Sequence, residues 1–347
     1  MKKLSLIITL SILLSSGVFA QQAGNTGEAT FLDPTNYTRQ ATRFERDGVI
    51  FVNSDVYYQL KAIDKETGLD KIEYAINGGS FQNYINPFNL VEEGYHIIRY
   101  RGIDNADNVE VTKVLQVYVD NTAPNSTVET DRALYRANGV TYASNRTRFY
   151  ISAFDNESGS GVKSTYAGTQ VNSLQGRGDG TRNPNNFFSL TDEGPTSLYY
   201  TAMDNVGNLA RVRQFNVTID ATPPTVKIQA SENLRLREGV YVIIPSEELK
   251  TEDGKIIITS KNRVAFSAED NLSGVRALYV KVNDEEFVQY FEPIEVKGGL
   301  DYVIQVKAED NVGNISAPVT FNFRVDSVAP ESTIELINRE GTVLDKQ

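Results

Sequence analysis

One phrase occurs three times in this chain and limits what it can fold into: Gly102-Ile-Asp104-Asn-Ala-Asp-Asn108, Ala202-Met-Asp204-Asn-Val-Gly-Asn208 and Ala308-Glu-Asp310-Asn-Val-Gly-Asn314. Its aspartates lie 100 and then 106 residues apart, the length of one β-sandwich domain rather than of a solenoid repeat. Each copy therefore marks a separately cored module.

Three further markers keep the same period. A second acidic turn stands upstream of each phrase: Ala62-Ile-Asp64-Lys-Glu-Thr-Gly68, Ala153-Phe-Asp155-Asn-Glu-Ser-Gly159 and Ala268-Glu-Asp270-Asn-Leu-Ser-Gly274. Downstream, a strand exits through Asp and Pro, at Asp120 and Pro124, Asp220 and Pro223-Pro224, and Asp326 and Pro330. Proline has no N–H for a ladder, so these prolines mark seams. Gly48-Val49, Gly139-Val140 and Gly239-Val240 open the units, and Gly341-Thr-Val-Leu344 starts the pattern again. The spacing predicts modules at residues 46–123, 124–223 and 224–329, with 330–347 a partial fourth module or cap.

Residues 1–20 have the form of a secretory signal: Lys2-Lys3, an apolar run from Leu4 to Leu14, and Val18-Phe19-Ala20 before Gln21. Residues 21–45 are polar and turn-rich, and read as a flexible lead-in or a loosely attached first strand. The chain has no Cys, so no disulfide framework or lipid-anchored cysteine is expected. No stretch after the signal reaches the roughly 18 apolar residues of a membrane helix. With 45 acidic against 34 basic residues the net charge is −11, which disfavours nucleic acid and favours cations or basic protein partners.

Strand signals dominate. Ile98/Tyr100, Leu198/Tyr200 and Ile304/Val306 alternate with the polar or amphipathic Arg99, Tyr199 and Gln305, a period of two with one buried face. Asn77-Gly78 between two apolar alternations is a strong hairpin signal. The expected fold is all-β: tandem antiparallel Ig-like β-sandwich modules, three complete plus a C-terminal stub.

The order A-x-D-x-x-[ST]-G, a hairpin with an [IV]-N-[GD] turn, then G-x-D-N-x-G-N and V-D-x-x-x-P resembles the bacterial Ig-like repeat of the spirochaetal outer-membrane protein family. The match spans about residues 45–335, with departures at Asp107, where the other copies have Gly207 and Gly313, and at Lys65, where they have Asn. The resemblance implies export to the cell envelope and, for some members, binding of host extracellular-matrix components.

Catalysis is argued against by the residue inventory. With one histidine, His96, and no cysteine, the usual nucleophile and base pairs and zinc sets are missing, and His96 falls at a strand position. Carbohydrate subsites favour large aromatic platforms, and the chain has no Trp. Nine recurring aspartates are candidate metal ligands: Asp64, Asp155 and Asp270 in the first turns, Asp104, Asp204 and Asp310 in the second, and Asp120, Asp220 and Asp326 at the exits. Gathered near a seam they would suit Ca²⁺, whereas singly they suit Asx turns that bond their own backbone. The turn reading is preferred, since no unit carries the D-x-[DN]-x-[DN]-G loop with its distal Glu.

The hairpin of the second unit is eight residues longer than that of the first and carries Arg177-Gly178-Asp179 between glycines. Such a triplet on a projecting loop with few packed contacts is a candidate receptor contact. The functional expectation is a non-enzymatic, exported envelope protein, a surface adhesin or binding protein for extracellular-matrix or receptor proteins. The alternative is a periplasmic or filament-associated scaffold of spacer modules.

Overall fold

Asn77 and Gly78 take φ of 50° and 82°, the pair of positive values that a type I′ turn requires, and the Gly79 amide donates to the Ile76 carbonyl over 2.9 Å. Asp47-Gly48 and Asn138-Gly139 repeat that geometry. In the computed structural model, residues 7–13, 31–231, 235–237, 240–242, 249–250, 256–259, 263–339, 341 and 343–345 are described. The cleavage site Val18-Phe19-Ala20, residues 21–30 of the lead-in and Gly239 lie outside the described residues.

The described residues are β-strands and turns without helix, in two compact units: Met1–Leu134 with Asn145–Ile219, and Tyr135–Ser144 with Asp220–Gln347. In the first unit, Tyr57–Ile63 lies between Ile7–Leu13 and Phe88–Asn89 in a three-stranded sheet. The facing six-stranded sheet runs Arg43–Arg46, Val49–Val52, Lys113–Val119, Gly94–Asp104, Leu69–Ile76, Gln82–Asn83. Between them pack Val52, Tyr58, Leu60, Ile72, Ile98, Tyr100, Val117 and Val119, all buried, each contributing roughly 2 kcal/mol of apolar burial. The alternation read from the sequence holds, with Ile98 buried and Arg99 only partly so.

The plan repeats downstream. Asn125–Thr130, Arg148–Phe154 and Phe187–Ser189 form the second three-stranded sheet. Arg213–Asp220, Gly194–Asp204, Val162–Gly168, Leu174–Gly176 and Phe31–Leu32 run side by side in that order. In the second unit Thr225–Ser231, Arg263–Glu269 and Ile294–Glu295 make the small sheet. The larger one runs Leu249–Lys250, Ile256–Thr259, Val319–Asp326, Asp301–Asp310, Val275–Val282, Val288–Gln289. The strand after each first acidic turn carries a register shift at the same place, Leu69/Lys71, Val162/Ser164 and Val275/Ala277, the mark of a β-bulge.

Two features depart from the expectation. The sandwiches are not wholly antiparallel: Val49–Val52 runs parallel to Lys113–Val119, and Ile256–Thr259 to Val319–Asp326. In each case the parallel strand lies second from the edge of the larger sheet, between an antiparallel edge strand and the last strand of the module. The lead-in is also not loose over residues 31–45. Leu32 pairs with Leu174 and packs on the cluster of Tyr166, Leu174 and Met203, the Tyr37 hydroxyl donates to the Gly207 carbonyl over 2.6 Å, and Arg39 bonds Asp55 and Asn208.

Candidate functional site

Each acidic turn folds because a carboxylate replaces the missing ladder partner of the chain just after it. Asp104 Oδ1 accepts the amides of Ala106 and Asn108, Asp204 Oδ1 those of Val206 and Asn208, and Asp310 Oδ1 those of Val312 and Asn314. The glycine of the phrase takes φ of 87° at Gly207 and 85° at Gly313, and Asp107 takes 61° in the first copy, a conformation that Asp tolerates better than most side chains. The Asx reading of these turns therefore holds.

The structure also brings some of the aspartates together. Asp120, Asp155 and Asp204 each place a carboxylate oxygen within 4.8 Å of the others, and so do Asp220, Asp270 and Asp310. An exit aspartate thus meets the two turns that follow it in the chain. Asp64, Asp104 and Asp326 join no such cluster among the described residues; Asp64 accepts the amides of Thr67 and Gly68, and Asp326 that of Val328. The sequence spacing assigned three aspartates to every module, but only six of the nine converge.

In the first unit Asp120 Oδ2 accepts the Ser160 amide over 2.6 Å, and Asp155 Oδ2 accepts the Gly161 amide over 2.7 Å. Asn208 donates its side-chain amide to Asp204 Oδ2 over 2.6 Å and to the Asp120 main-chain carbonyl over 2.9 Å. The second unit repeats this with its own residues. Asp220 Oδ2 accepts the Ser273 amide over 3.0 Å, Asp270 Oδ2 the Gly274 amide over 2.7 Å, and Asn314 bridges Asp310 Oδ2 and the Asp220 carbonyl over 2.6 and 2.9 Å. Asp155 Oδ1 and Asp270 Oδ1 are buried and accept no hydrogen bond, and the hydroxyls of Ser160 and Ser273 are buried without a partner.

Burial first, and then the carboxylates of Asp120 and Asp155, push Asp204 up to about 7 against the pull of its Asn208 bonds. Burial likewise raises Asp155 and Asp310. Asp104, outside any cluster, is instead held below the ordinary carboxylate range by its Asn108 bonds. Chemically, the raised Asp204 favours a bound proton, and the three carboxylates are of the donor type that a small hard cation such as Ca²⁺ would use. Asp120, Asp155 and Asp204, and equally Asp220, Asp270 and Asp310, are the residues that would hold such an ion.

The Arg177-Gly178-Asp179 triplet is not a projecting tip. The Arg177 guanidinium donates to Gln175 Oε1 over 2.6 Å and sits 4.9 Å above the Phe188 ring, and its amide bonds the Thr165 carbonyl. Gly178 O accepts the Thr165 amide and Gly180 O that of Ala153, so the backbone lies along the sandwich. Asp179 is exposed but turned onto Thr181, whose amide and hydroxyl it accepts. Leu174–Gly176, the counterpart of Gln82–Asn83 in the first module, pairs with Val162–Gly168 on one side and receives Phe31–Leu32 on the other. His96 is buried in the strand Gly94–Asp104, with its two ring nitrogens against Asn77 and the Glu92 carbonyl.

Sequence reasoning missed Asn208 and Asn314 as cross-links. The signal was the second Asn of the repeated phrase, present in all three copies, but its long-range partner is a main-chain carbonyl that no pattern displays.

No protein-family model matches the chain, and no curated protein does. Among solved structures the chain is similar to the fibronectin(III)-like modules of CbhA from Clostridium thermocellum, at 14% identity over 60% of this chain and 100% of theirs, TM-score 0.30. It is similar to a 1.5-MDa bacterial ice-binding adhesin at 11% identity over 80% and 94%, TM-score 0.32, and to the FN1–FN3 domains of chicken CNTN1 at 10% over 78% and 94%, TM-score 0.27.

Proposed function

We propose that this chain is an exported, non-enzymatic binding protein of the outer cell envelope, an adhesin-type array of Ig-like modules related to the spirochaetal repeats it resembles. The observation that carries the reading is the recurring Asp/Asn linkage: the residues that repeat most strictly are engaged in tying turns to exit strands. The one histidine is likewise held in hydrogen bonds on both ring nitrogens. The sandwich faces and loops remain for partners, and the sequence resemblance supports matrix or receptor proteins as their class. The net charge of −11 favours basic surfaces on them.

The test is attachment of the purified protein to immobilised matrix proteins and to mammalian cells. Saturable attachment that weakens with added salt is expected. Attachment no greater than that of an unrelated acidic β-sandwich would contradict the reading and favour a scaffold of spacer modules.

A further inference from the structure

The slot beside the first small sheet is filled differently from the other two. Asn125–Thr130 and Thr225–Ser231 each follow directly on an exit proline and pair with the strand that leads into the first acidic turn of their module, Arg148–Phe154 and Arg263–Glu269. In the first module the same place is taken by Ile7–Leu13, which lies within the predicted export leader. The register is equivalent: Leu10 stands opposite Leu60 where Val128 stands opposite Ile151 and Ile228 opposite Phe266. Loss of residues 1–20 would leave the strand Tyr57–Ile63 with only its two pairs to Phe88–Asn89, and with the core residues Tyr58 and Leu60 at the bared edge. An open edge of this kind is a template for another strand.

Little in the rest of the first module can refill it. Phe31–Leu32 is paired with Leu174–Gly176, Tyr37 and Arg39 are bonded to Gly207 and Asn208, and residues 21–30, Gln-Gln-Ala-Gly-Asn-Thr-Gly-Glu-Ala-Thr, contain no Val, Ile, Leu or aromatic residue. Residues 330–335, Pro-Glu-Ser-Thr-Ile-Glu, repeat residues 124–129, Pro-Asn-Ser-Thr-Val-Glu, which enter the slot of the second module. Yet residues 331–337 are exposed, with Ile334 at 90% and Leu336 at 64%, and the only strand there, Leu336–Ile337, pairs with Val343–Asp345.

We propose that the edge of Tyr57–Ile63, opened when the leader is removed, receives residues 331–336 of a second copy of this chain. The inference rests on the export reading. In the register of the other modules Ile334 stands opposite Leu60 and Thr333 opposite Lys61. That places Glu331 and Glu335 on the two diagonals of exposed Lys61, a favourable cross-strand charge arrangement. The diagonal is within reach, because Ser152 at the place of Lys61 donates to Glu129 at the place of Glu335 over 2.7 Å. Successive copies would then join head to tail, a heterologous contact that builds chains of molecules.

The test uses the chain beginning at Gln21, examined by light scattering over a range of concentrations, with and without a peptide of residues 330–337. Reversible association beyond the monomer is expected; the peptide at excess should reduce it, and Ile334→Pro should abolish it. Because Ile334 is exposed in the single chain, that substitution should leave the melting curve unchanged at dilutions where the unsubstituted chain is monomeric. Replacing residues 1–20 by the sequence of residues 124–130 should fill the edge and also yield monomers. A monomer at every concentration that binds no peptide, or association untouched by Ile334→Pro, would overturn the proposal while leaving the export reading intact. N-terminal sequencing of the exported protein tests that reading separately: a chain that retains residues 7–13 has a filled edge and overturns both.

Discussion

Asn208 donates its side-chain amide to the main-chain carbonyl of Asp120 over 2.9 Å, linking residues 88 positions apart, and its oxygen accepts from Arg39. The same amide also holds Asp204 Oδ2, so one buried side chain fixes both an exit strand and the turn that meets it. Removing it strands a buried carboxylate and a buried carbonyl.

Asn208→Ala should therefore destabilise the first unit by about 2–4 kcal/mol, the range for a lost bond to a charged group plus an unsatisfied acceptor. Asn108→Ala should cost less than about 1 kcal/mol, because Asn108 bonds only within its own turn. Chemical denaturation of both variants checks the contrast.

The period-two faces and the Asn77-Gly78 hairpin are visible in the sequence because each is decided locally, by residues within a few positions. The grouping of the aspartates is not. Asp120 belongs with Asp155 and Asp204 because Ser160 and Asn208 reach it from distant turns, and linear spacing cannot separate it from Asp64 and Asp104. The Arg177 triplet misleads for a related reason, since a glycine-flanked insertion looks free until the main-chain bonds of Arg177 and Gly178 to Thr165, and of Gly180 to Ala153, are seen.

Asp204 sets a pH dependence. Its folded value of about 7 lies above the ordinary 3.8, so the folded state binds the proton more tightly than the unfolded chain. That contribution is fully present below about pH 4, shrinks as pH rises, and is gone above about pH 7, a loss on the order of 3–4 kcal/mol. Asp204→Asn should flatten the decline in stability between pH 4 and 7; an unchanged slope would contradict the assignment.

A cation bound among these carboxylates would compete with that proton. Millimolar Ca²⁺ should raise the melting temperature slightly at pH 8 and less at pH 6, by mass action on the deprotonated cluster. Asp155→Ala and Asp270→Ala together should remove the rise. Identical curves in Ca²⁺ and in chelator at both pH values would leave the six carboxylates as turn and linkage residues alone.

Asp179→Ala should change stability by less than about 0.5 kcal/mol and leave attachment to cells unaltered, since Asp179 is exposed and bonded only to Thr181. Arg177→Ala should cost roughly 1–2 kcal/mol through the lost ring contact and hydrogen bonds. A drop in attachment with Asp179→Ala at unchanged stability would restore the triplet as a receptor contact.

The most direct measurement is protease accessibility on intact cells that produce the full chain, compared with cells whose outer membrane has been permeabilised. A surface binding protein is degraded on intact cells at nearly the rate seen after permeabilisation, while a periplasmic marker is spared. Protection of the chain until the membrane is opened would contradict the surface reading and leave a scaffold inside the envelope.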